Sequence, residues 1–414
     1  MELRKIIDLP PGHNAASPRL QAVVLCVALA LTLPGAGCGG DSGGKAGQPA
    51  AGPQACPVSV DLGAWQAFCT LGARLAKGET PPAAELVALG EEPSFALWRA
   101  SLAPNVPPAQ RVGNWAEEAF WAESGRDNSE RKMNADLRTI GANYRWAWDR
   151  RARVDSLAAL LAGPEAACAL LARTTGWIDA DRLPVPLPIH VVPGKPELRY
   201  HEGHVFVDTG VLAAGLPSQL ERQLAGLLYR NLQAEDGASP LELVGDLAVA
   251  HCFRILRNEG IATWIEDLPH TFFDPGHPRL RQVRPVPEFF YESTLRTIAL
   301  TSEGLPRLFA DPAEMTAQGA TYARTIAGSG GFNQGGYGMA ALIHARLGAA
   351  RLQAAARSVT GFVAAYQEAA LLNGTGRPTL GAAGHEPWEA LGPIAPDVYD
   401  RLLPLLERVF GPAV

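Results

Sequence analysis

Two carboxylates in one short stretch, RNEGIATWIED, have a spacing that suits a metal or acid–base site. Glu259 and Glu266 are seven residues apart, close to two helical turns, so a helix would carry both on the same face. Glutamate is a zinc ligand, but hydrolytic zinc sites also use histidines. The stretch therefore raises the question of which residues would supply the imidazoles.

The helix predicted before this stretch is where a pair of zinc-binding histidines would lie. In an H-E-x-x-H motif, two histidines four residues apart share one helical face, and the glutamate beside the first activates water. Laid against that frame, LAGLLYR has Gly226, Leu227 and Arg230 at the three functional positions. Glycine and leucine cannot bind zinc, and Arg230 would put a permanent cation where the metal sits.

The ends of both helices are marked in the sequence. PSQLE places Ser218 at an N-cap with Glu221 three residues later, which is a capping box. SPLE has the same pattern, with Ser239 at the N-cap and Glu242 three residues later. These signals predict one helix over 219–233 and a second from Leu241 to about Asp267, ended by several prolines.

This order of elements resembles a known family. A Pro-rich strand, a strand ending near Asp208, a capped helix and a helix with NEGIA are followed by GYGMAALIHARLG. The chain is similar over 187–372 to exported gluzincin-type zinc peptidases, which carry HExxH…E, and in particular to zinc-dependent lipoprotein peptidases. The resemblance implies that Glu259 corresponds to the third zinc ligand and Glu266 to an acid behind it. The residues at the HExxH positions depart from the family.

This departure leads to a specific expectation about Arg230. In the register above, its guanidinium reaches Glu259, and a charge-assisted bridge replaces the contact between metal and ligand. The alternative is that NEGIA is only a helical segment with a closely packed glycine.

Further residues are candidates for lining the former cleft. Tyr229, His251 and Trp264 lie on the two helices, and GSGGFNQGGYG is expected to form a flexible loop over the cleft, with Tyr337 near the start of the next helix. Such a loop can also bind an anion through its amides, but it lacks the preceding strand of a dinucleotide site and the Lys-Ser/Thr of a P-loop.

The other histidines do not rebuild a metal site in the sequence. His251 and Glu259 share a helix but are about 12 Å apart along its axis. In HEGH, His201 and His204 would face opposite sides of an extended chain. HEPWE gives His385 and Glu389 helical spacing only within a first turn, and His270 and His277 flank a Pro-rich loop.

The predicted fold is α+β and predominantly helical, a gluzincin-like metallopeptidase fold with a small sheet and a helical C-terminal part. IHVV and GHVFVDTGVL are the predicted strands. We expect a signal peptide over 1–37, a lipoprotein tether over 38–55, a helical N-terminal region over 56–180, a peptidase-like core over 181–284 and a helical C-terminal region over 285–414.

The N-terminus predicts export. Arg4, Lys5 and Arg19 precede LQAVVLCVALALTLP, which has the length of a signal h-region, and PGAGC resembles a bacterial lipobox ending at Cys38. We therefore expect a protein anchored to the bacterial envelope through a lipid on Cys38, facing the periplasm or the cell surface; an ordinary secretory signal cut nearby is the alternative. Export permits disulfides, and Cys56 with Cys69 is the expected local pair.

Composition narrows the class of function. The chain has 414 residues, 47% hydrophobic and 19% charged, with a net charge of -6. This is ample for a large core, and no basic patch predicts nucleic-acid binding. The sequence therefore predicts an exported pseudopeptidase that binds a peptide, protein or envelope component without a cofactor. The alternatives are an active metallohydrolase with non-standard ligands that include Glu259, with zinc as its cofactor, and a structural envelope lipoprotein.

Overall fold

The computed structural model describes residues 58–102, 143–178, 180–184, 186–194, 197–214, 217–233, 239–267, 287–328, 331–374 and 376–413. Contacts divide the chain after Gln54, and every described residue belongs to the second unit, Ala55–Val414. The predicted signal and tether, with Cys38, lie outside the described residues, as do Cys56, His270 and His277.

Helices dominate the described residues, in agreement with a mainly helical α+β fold. They are α1 (Gly63–Leu75), α2 (Ala83–Glu91), α3 (Pro93–Ala100), α4 (Arg151–Ala162), α5 (Pro164–Thr175), α6 (Thr209–Ala214), α7 (Pro217–Leu232), α8 (Gly245–Glu266), α9 (Pro287–Ala310), α10 (Pro312–Gly328), α11 (Gly331–Ala356), α12 (Val359–Leu372) and α13 (Pro396–Phe410). Residues 143–149 are also helical, and short 3-10 turns occupy Ala180–Arg182 and Pro387–Ala390.

A four-stranded sheet lies beside these helices. Its strands are β1 (Val58–Asp61), β2 (Leu187–Val192), β3 (Leu198–His201) and β4 (His204–Asp208). Their order is β1-β2-β4-β3, with β1 and β4 parallel to β2 and β3 antiparallel to β4. The sequence predicted β2 and β4 but missed β1 and β3, because each is only four residues long and too short to show a clear alternation.

One hydrophobic cluster joins the described parts of the three predicted regions that follow the tether. It extends from Ala64 in α1 through Ile189 in β2 and Leu224 in α7 to Leu406 in α13. The regions 56–180, 181–284 and 285–414 therefore contribute side chains to a shared core.

The end of β4 is fixed by Asp208, where the sequence placed it. Its carboxylate accepts hydrogen bonds from the backbone N–H groups of Gly194 and Gly210, both at 2.7 Å, and from Asn143 Nδ2 at 3.0 Å. Burial raises the pKa of Asp208 to about 7 even though these donors favour the ionised form. These bonds tie the sheet to the helical residues 143–149.

The two helices expected to carry the site are present, with one boundary corrected. α7 spans Pro217–Leu232, against a predicted 219–233, and α8 ends at Glu266, but α8 begins at Gly245 rather than Leu241. Ser239 accepts a hydrogen bond from the N–H of Leu241 at 3.3 Å within a turn and does not cap the helix. Gly245 has a φ of 61°, so the chain changes direction at the first residue of α8.

The glycine-rich segment is helical from Gly331 onward, which corrects the predicted flexible loop. α11 starts at Gly331 and includes Gly335, Gly336 and Gly338. These glycines allow close contact with neighbouring helices: a Cβ on Gly336 would lie 2.7 Å from the Cα of Gly260 in α8 and overlap the carbonyl oxygen of Leu256. α11 breaks only later, at Gly348, which has a φ of 83°.

The cysteine pairing differs from the expectation. Cys69 is a free thiol, and so is the buried Cys252, whereas Cys168 is disulfide-bonded. The predicted pair of Cys56 with Cys69 is therefore wrong, because sequence proximity does not fix which side chains approach each other. The partner of Cys168 lies outside the described residues.

Within the described ranges, no single helix has the length and apolar character to cross a membrane. The pair Arg151–Ala162 and Glu165–Thr175 meets that criterion only jointly, with a 68° bend between its helices. Val154, Ala158 and Leu170 of this pair lie in the shared core.

Candidate functional site

Helices α7 and α8 lie side by side and run in opposite directions. Near the start of α7, Arg222 Nη1 lies 2.6 Å from Asp267 Oδ2, directly after the end of α8. Two turns further along α7, Arg230 contacts Glu259. Positions 222, 226 and 230 recur every four residues, so they form one stripe of α7 that faces α8.

The contact expected between Arg230 and Glu259 is present. Arg230 Nε donates to Glu259 Oε2 at 2.8 Å, and its Nη1 lies 3.0 Å from Glu266 Oε1. The guanidinium thus sits between two carboxylates of α8 and uses separate nitrogens for them. The sequence predicted only the first of these contacts.

The three side chains differ in their access to water. The Arg230 and Glu259 side chains are 29% and 31% exposed, whereas that of Glu266 is 10% exposed. Burial raises the pKa of Glu266, which the Arg230 cation opposes and the Glu259 charge reinforces. Burial would lower the pKa of Arg230, but the two carboxylates outweigh that effect and raise it. Arg230 therefore stays a cation throughout the range in which proteins fold.

The two helices approach each other closely at Gly226. A Cβ at this position would overlap Cγ of Glu266 and lie 2.8 Å from the backbone carbonyl oxygen of Ala262. A flexible Glu266 side chain can move, but the carbonyl oxygen is part of α8. Any larger residue at 226 would therefore force the helices apart. Leu227, which the sequence comparison with HExxH aligned with the glutamate of that motif, is 8% exposed and packs in the core.

The candidate cleft residues on α7 and α8 are not gathered at one place. Tyr229 is fully buried, and its hydroxyl donates to the carbonyl oxygen of Ala356 at 2.8 Å, so it ties α7 to α11 rather than lining a cleft. His251 packs its ring 5.1 Å from that of Phe410 in α13. It lies about 12 Å along α8 from Glu259, in the position the sequence predicted.

Trp264 and Tyr337 do meet, near the C-terminal end of α8. Their ring centroids are 5.7 Å apart, and Trp264 also packs 5.0 Å from the ring of the exposed His344. Tyr337 is only 2% exposed and packs edge-on against Phe290 and Tyr291. Burial raises the pKa of Tyr337 far above its ordinary value, so its hydroxyl keeps its proton. Trp264 and His344 thus form the accessible part of this aromatic cluster.

Two further pairs of side chains that could bind a metal ion, His385 with Glu389 and His201 with His204, lie elsewhere in the structure. His385 Nδ1 lies 2.6 Å from Glu389 Oε2, as the spacing allowed, at an exposed position. The prediction that His201 and His204 face opposite sides is wrong: they are directly paired across the turn between β3 and β4. Across the described ranges, no three His, Cys, Asp or Glu side chains are already arranged to hold a metal ion.

Residues 242–375 match a family model, DUF5700, described as a putative zinc dependent peptidase. The chain is similar to zinc peptidases there. The matched stretch contains α8, with Glu259 and Glu266, and α11, but it begins after α7. No curated protein and no solved structure matches the chain.

The residues at the α7–α8 contact do not fit the zinc that this family label implies. A guanidinium donates to both carboxylates and cannot act as a metal ligand. Gly226 has no donor atom, and the distance between the helices leaves no room for a histidine in its place. What joins the two helices here is an internal ion bridge rather than a set of metal ligands.

Proposed function

We propose that this chain is a noncatalytic relative of zinc peptidases that binds a peptide, protein or envelope component. The observation that carries the proposal is the guanidinium of Arg230 between Glu259 and Glu266, 2.8 and 3.0 Å from their carboxylate oxygens. A cation in this position supplies the charge that the carboxylates need but neither activates water nor polarises a carbonyl group as zinc does.

Binding is assigned to the end of α8 that carries the aromatic cluster. Trp264 is half-buried beside the exposed His344, and a flat aromatic surface of this kind suits contact with peptide side chains or backbone. This part of the proposal rests on the geometry of the cluster and on similarity to a peptidase family.

The alternative is an active metallohydrolase that uses Glu259 as a ligand. Metal analysis of the purified full chain distinguishes the two functions. We expect Glu259→Ala to leave the zinc content unchanged, as will the matched control Glu314→Ala on the exposed side of α10. Stoichiometric zinc that disappears only in Glu259→Ala would overturn the noncatalytic function.

The same protein can be tested for chemistry and binding together. Fluorescently labelled unstructured peptides are expected to bind and to be recovered intact, with weaker binding to Trp264→Ala. Cleavage of these peptides that is lost in Glu259→Ala would establish the alternative.

We also propose that the protein is exported and anchored through a lipid on Cys38. The charged segment, apolar run and PGAGC sequence support this. The disulfide at Cys168 supports it too, since such bonds persist mainly in oxidising compartments.

A further inference from the structure

A row of ionisable side chains crosses one face of the sheet, away from the α7–α8 contact. Asp61 on β1 is paired with His190 on β2, which is paired with Phe206 on β4. His204 lies two residues before Phe206 and therefore projects to the same face. His201 on β3 is the direct partner of His204, so it too projects to that face. Four neighbouring strands thus contribute one carboxylate and three imidazoles.

The turn between β3 and β4 explains why His201 joins this row. Glu202 and Gly203 have φ values of 47° and 85°, a two-residue turn that places the flanking residues opposite each other. Side chains at directly opposed positions have Cβ atoms about 5 Å apart. The HEGH sequence therefore brings its two histidines together, whereas a continuous extended chain would separate them.

The central contacts are short and directional. His190 Nε2 lies 2.9 Å from His204 Nδ1, and the two rings pack against Phe206. On its other side, His190 Nδ1 lies 3.2 Å from Asp61 Oδ2 and 3.0 Å from Ser94 Oγ. Ser94 also donates to Asp61 Oδ2. A carboxylate on Nδ1 keeps the proton there and leaves the Nε2 lone pair of His190 available.

The electrostatics favour an ionised carboxylate beside a neutral imidazole. Burial alone would raise the pKa of Asp61, but hydrogen bonds from Ser94, the Gly63 backbone and His190 lower it below its usual value. Burial lowers the pKa of His190, more than Asp61 raises it. Neutral imidazole is the form that binds metals.

We propose that His190 and His204 bind a divalent transition-metal ion of the zinc, cobalt, nickel or copper class, with His201 as the third ligand and water at the open position. Imidazole suits these ions. Tetrahedral ligands with metal–nitrogen distances of 2.0–2.1 Å place two nitrogens about 3.3 Å apart. His190 Nε2 and His204 Nδ1 would therefore separate by a few tenths of an ångström, and both rings would turn so that the nitrogens point at one ion rather than at each other. His201 Nε2, now 3.8 Å from Glu202 Oε1, would turn toward them.

Asp61 then has the role usually taken by a carboxylate behind a metal-bound histidine. Such a partner orients the ring and raises its basicity. His204 is half-buried and the His201 side chain is 36% exposed, so an ion can enter from the β3 side of the sheet. The competing arrangement is a plain hydrogen bond between His190 and His204 with no affinity for metal.

Cobalt titration of the full chain tests this directly. The purified protein is stripped with a chelator and titrated with Co²⁺, whose visible absorption reports coordination, and Zn²⁺ is then added as competitor. We expect one Co²⁺ per chain, displaced by Zn²⁺. His204→Gln and His190→Gln should each weaken binding at least about 100-fold, and Asp61→Asn about 10–100-fold. His201→Gln should cause a smaller loss.

Two control variants show whether Co²⁺ binds at this row of side chains or elsewhere on the chain. His385→Gln removes an exposed histidine far along the chain, and Glu259→Gln changes the α7–α8 contact; both should bind Co²⁺ like the unmodified chain.

Because His190 is only 6% exposed, circular dichroism and thermal unfolding check that its variant folds, and the half-buried His204 provides a second, milder variant. Absence of Co²⁺ binding, or unchanged binding in the His190→Gln/His204→Gln double variant, would overturn the proposal. Binding lost only in Glu259→Gln would overturn the noncatalytic function as well.

Discussion

Arg230 supplies the positive charge that two carboxylates of α8 require at a partly dehydrated position. Glu266 is the more demanding partner, because its side chain is 10% exposed and burial raises its pKa. A buried carboxylate that loses its cation costs far more than an exposed one, since its charge is then neither solvated nor compensated. The bridge therefore contributes to the stability of the α7–α8 pair.

Removing the cation tests this at the level of one residue. We expect Arg230→Met to lower the free energy of unfolding at neutral pH by about 2–3 kcal/mol, between the values typical of surface and buried pairs. The matched control is Arg222→Met, which breaks the more exposed bridge to Asp267 on the same two helices and should cost about 1 kcal/mol or less. Urea unfolding measures the free energy of both variants. Equal losses would show that the bridge of Arg230 stabilises the fold no more than the exposed bridge of Arg222 does.

The pH dependence gives the sign of the Glu266 effect. A carboxyl with a raised pKa binds its proton more tightly in the folded state, so its contribution to stability is greatest at acidic pH and falls as pH rises from the ordinary glutamate pKa through the raised one. The loss in Arg230→Met should accordingly shrink at acidic pH. Adding Glu266→Gln to Arg230→Met should remove most of that pH dependence.

Sequence reasoning found part of this site and missed the rest for definable reasons. The resemblance to the HExxH…E arrangement, together with helical spacing, placed Arg230 opposite Glu259. The close contact between Gly226 and Glu266 depends on the distance between the axes of α7 and α8. No local sequence pattern encodes that distance. The row formed by Asp61, His190 and His204 depends on strand register, and β1 is separated from β2 by more than a hundred residues.

At the scale of elements, the glycines of α8 and α11 set how closely these helices cross. Gly260 and Gly336 face each other, and a Cβ on either would meet backbone atoms of the opposite helix. The sequence offered two interpretations of NEGIA, a former ligand segment or a helix with a close-packed glycine. Gly260 fulfils the second while Glu259 makes the predicted bridge, so the two descriptions apply to neighbouring residues of the same turn.

Alanine at the crossing should therefore be costly. In Gly336→Ala the new Cβ overlaps the Leu256 carbonyl and lies 2.7 Å from the Cα of Gly260, so α8 and α11 must separate. We expect a loss of about 3 kcal/mol. Gly304→Ala in α9 is the control, because its Cβ would meet only the Tyr322 ring at 3.5 Å; it should be neutral or stabilising by up to about 1 kcal/mol. Thermal unfolding that ranks the two variants the other way would contradict this view of the crossing.

The loop predicted over 328–338 shows why such segments are misjudged. Glycine is permitted in loops for its conformational freedom and in helices for its lack of a side chain, and composition does not distinguish the two. Gly335 faces Thr297 and Gly338 faces Thr294, both on α9. The same helix start therefore packs on two neighbours, and the glycines are explained by their contacts with α8 and α9.

At the scale of the whole molecule, the state of the cysteines depends on the compartment in which the chain folds. Cys69 and Cys252 are free, and Cys168 is disulfide-bonded, so the described part of the chain has one bridged thiol that needs an oxidising environment. Burial raises the pKa of the Cys69 thiol to about 12, which keeps it protonated and unreactive. A chain made in the reducing cytosol would lack the bridge, whereas an exported one would form it.

Anchoring and export can be tested in the same bacterial cells. We expect the full chain to sediment with membranes and Cys38→Ala to be released or to remain unprocessed, because the proposed anchor is a lipid on that residue. In the membrane-bound protein Cys168 should resist alkylation until reductant is added, and reduction should lower the free energy of unfolding by about 2–4 kcal/mol. Cys69→Ser is the matched control, since its free thiol contributes no bridge and reductant should act on it as on the unmodified chain. A cytosolic, fully alkylatable Cys168 together with unchanged fractionation of Cys38→Ala would exclude both the export and the lipid anchor.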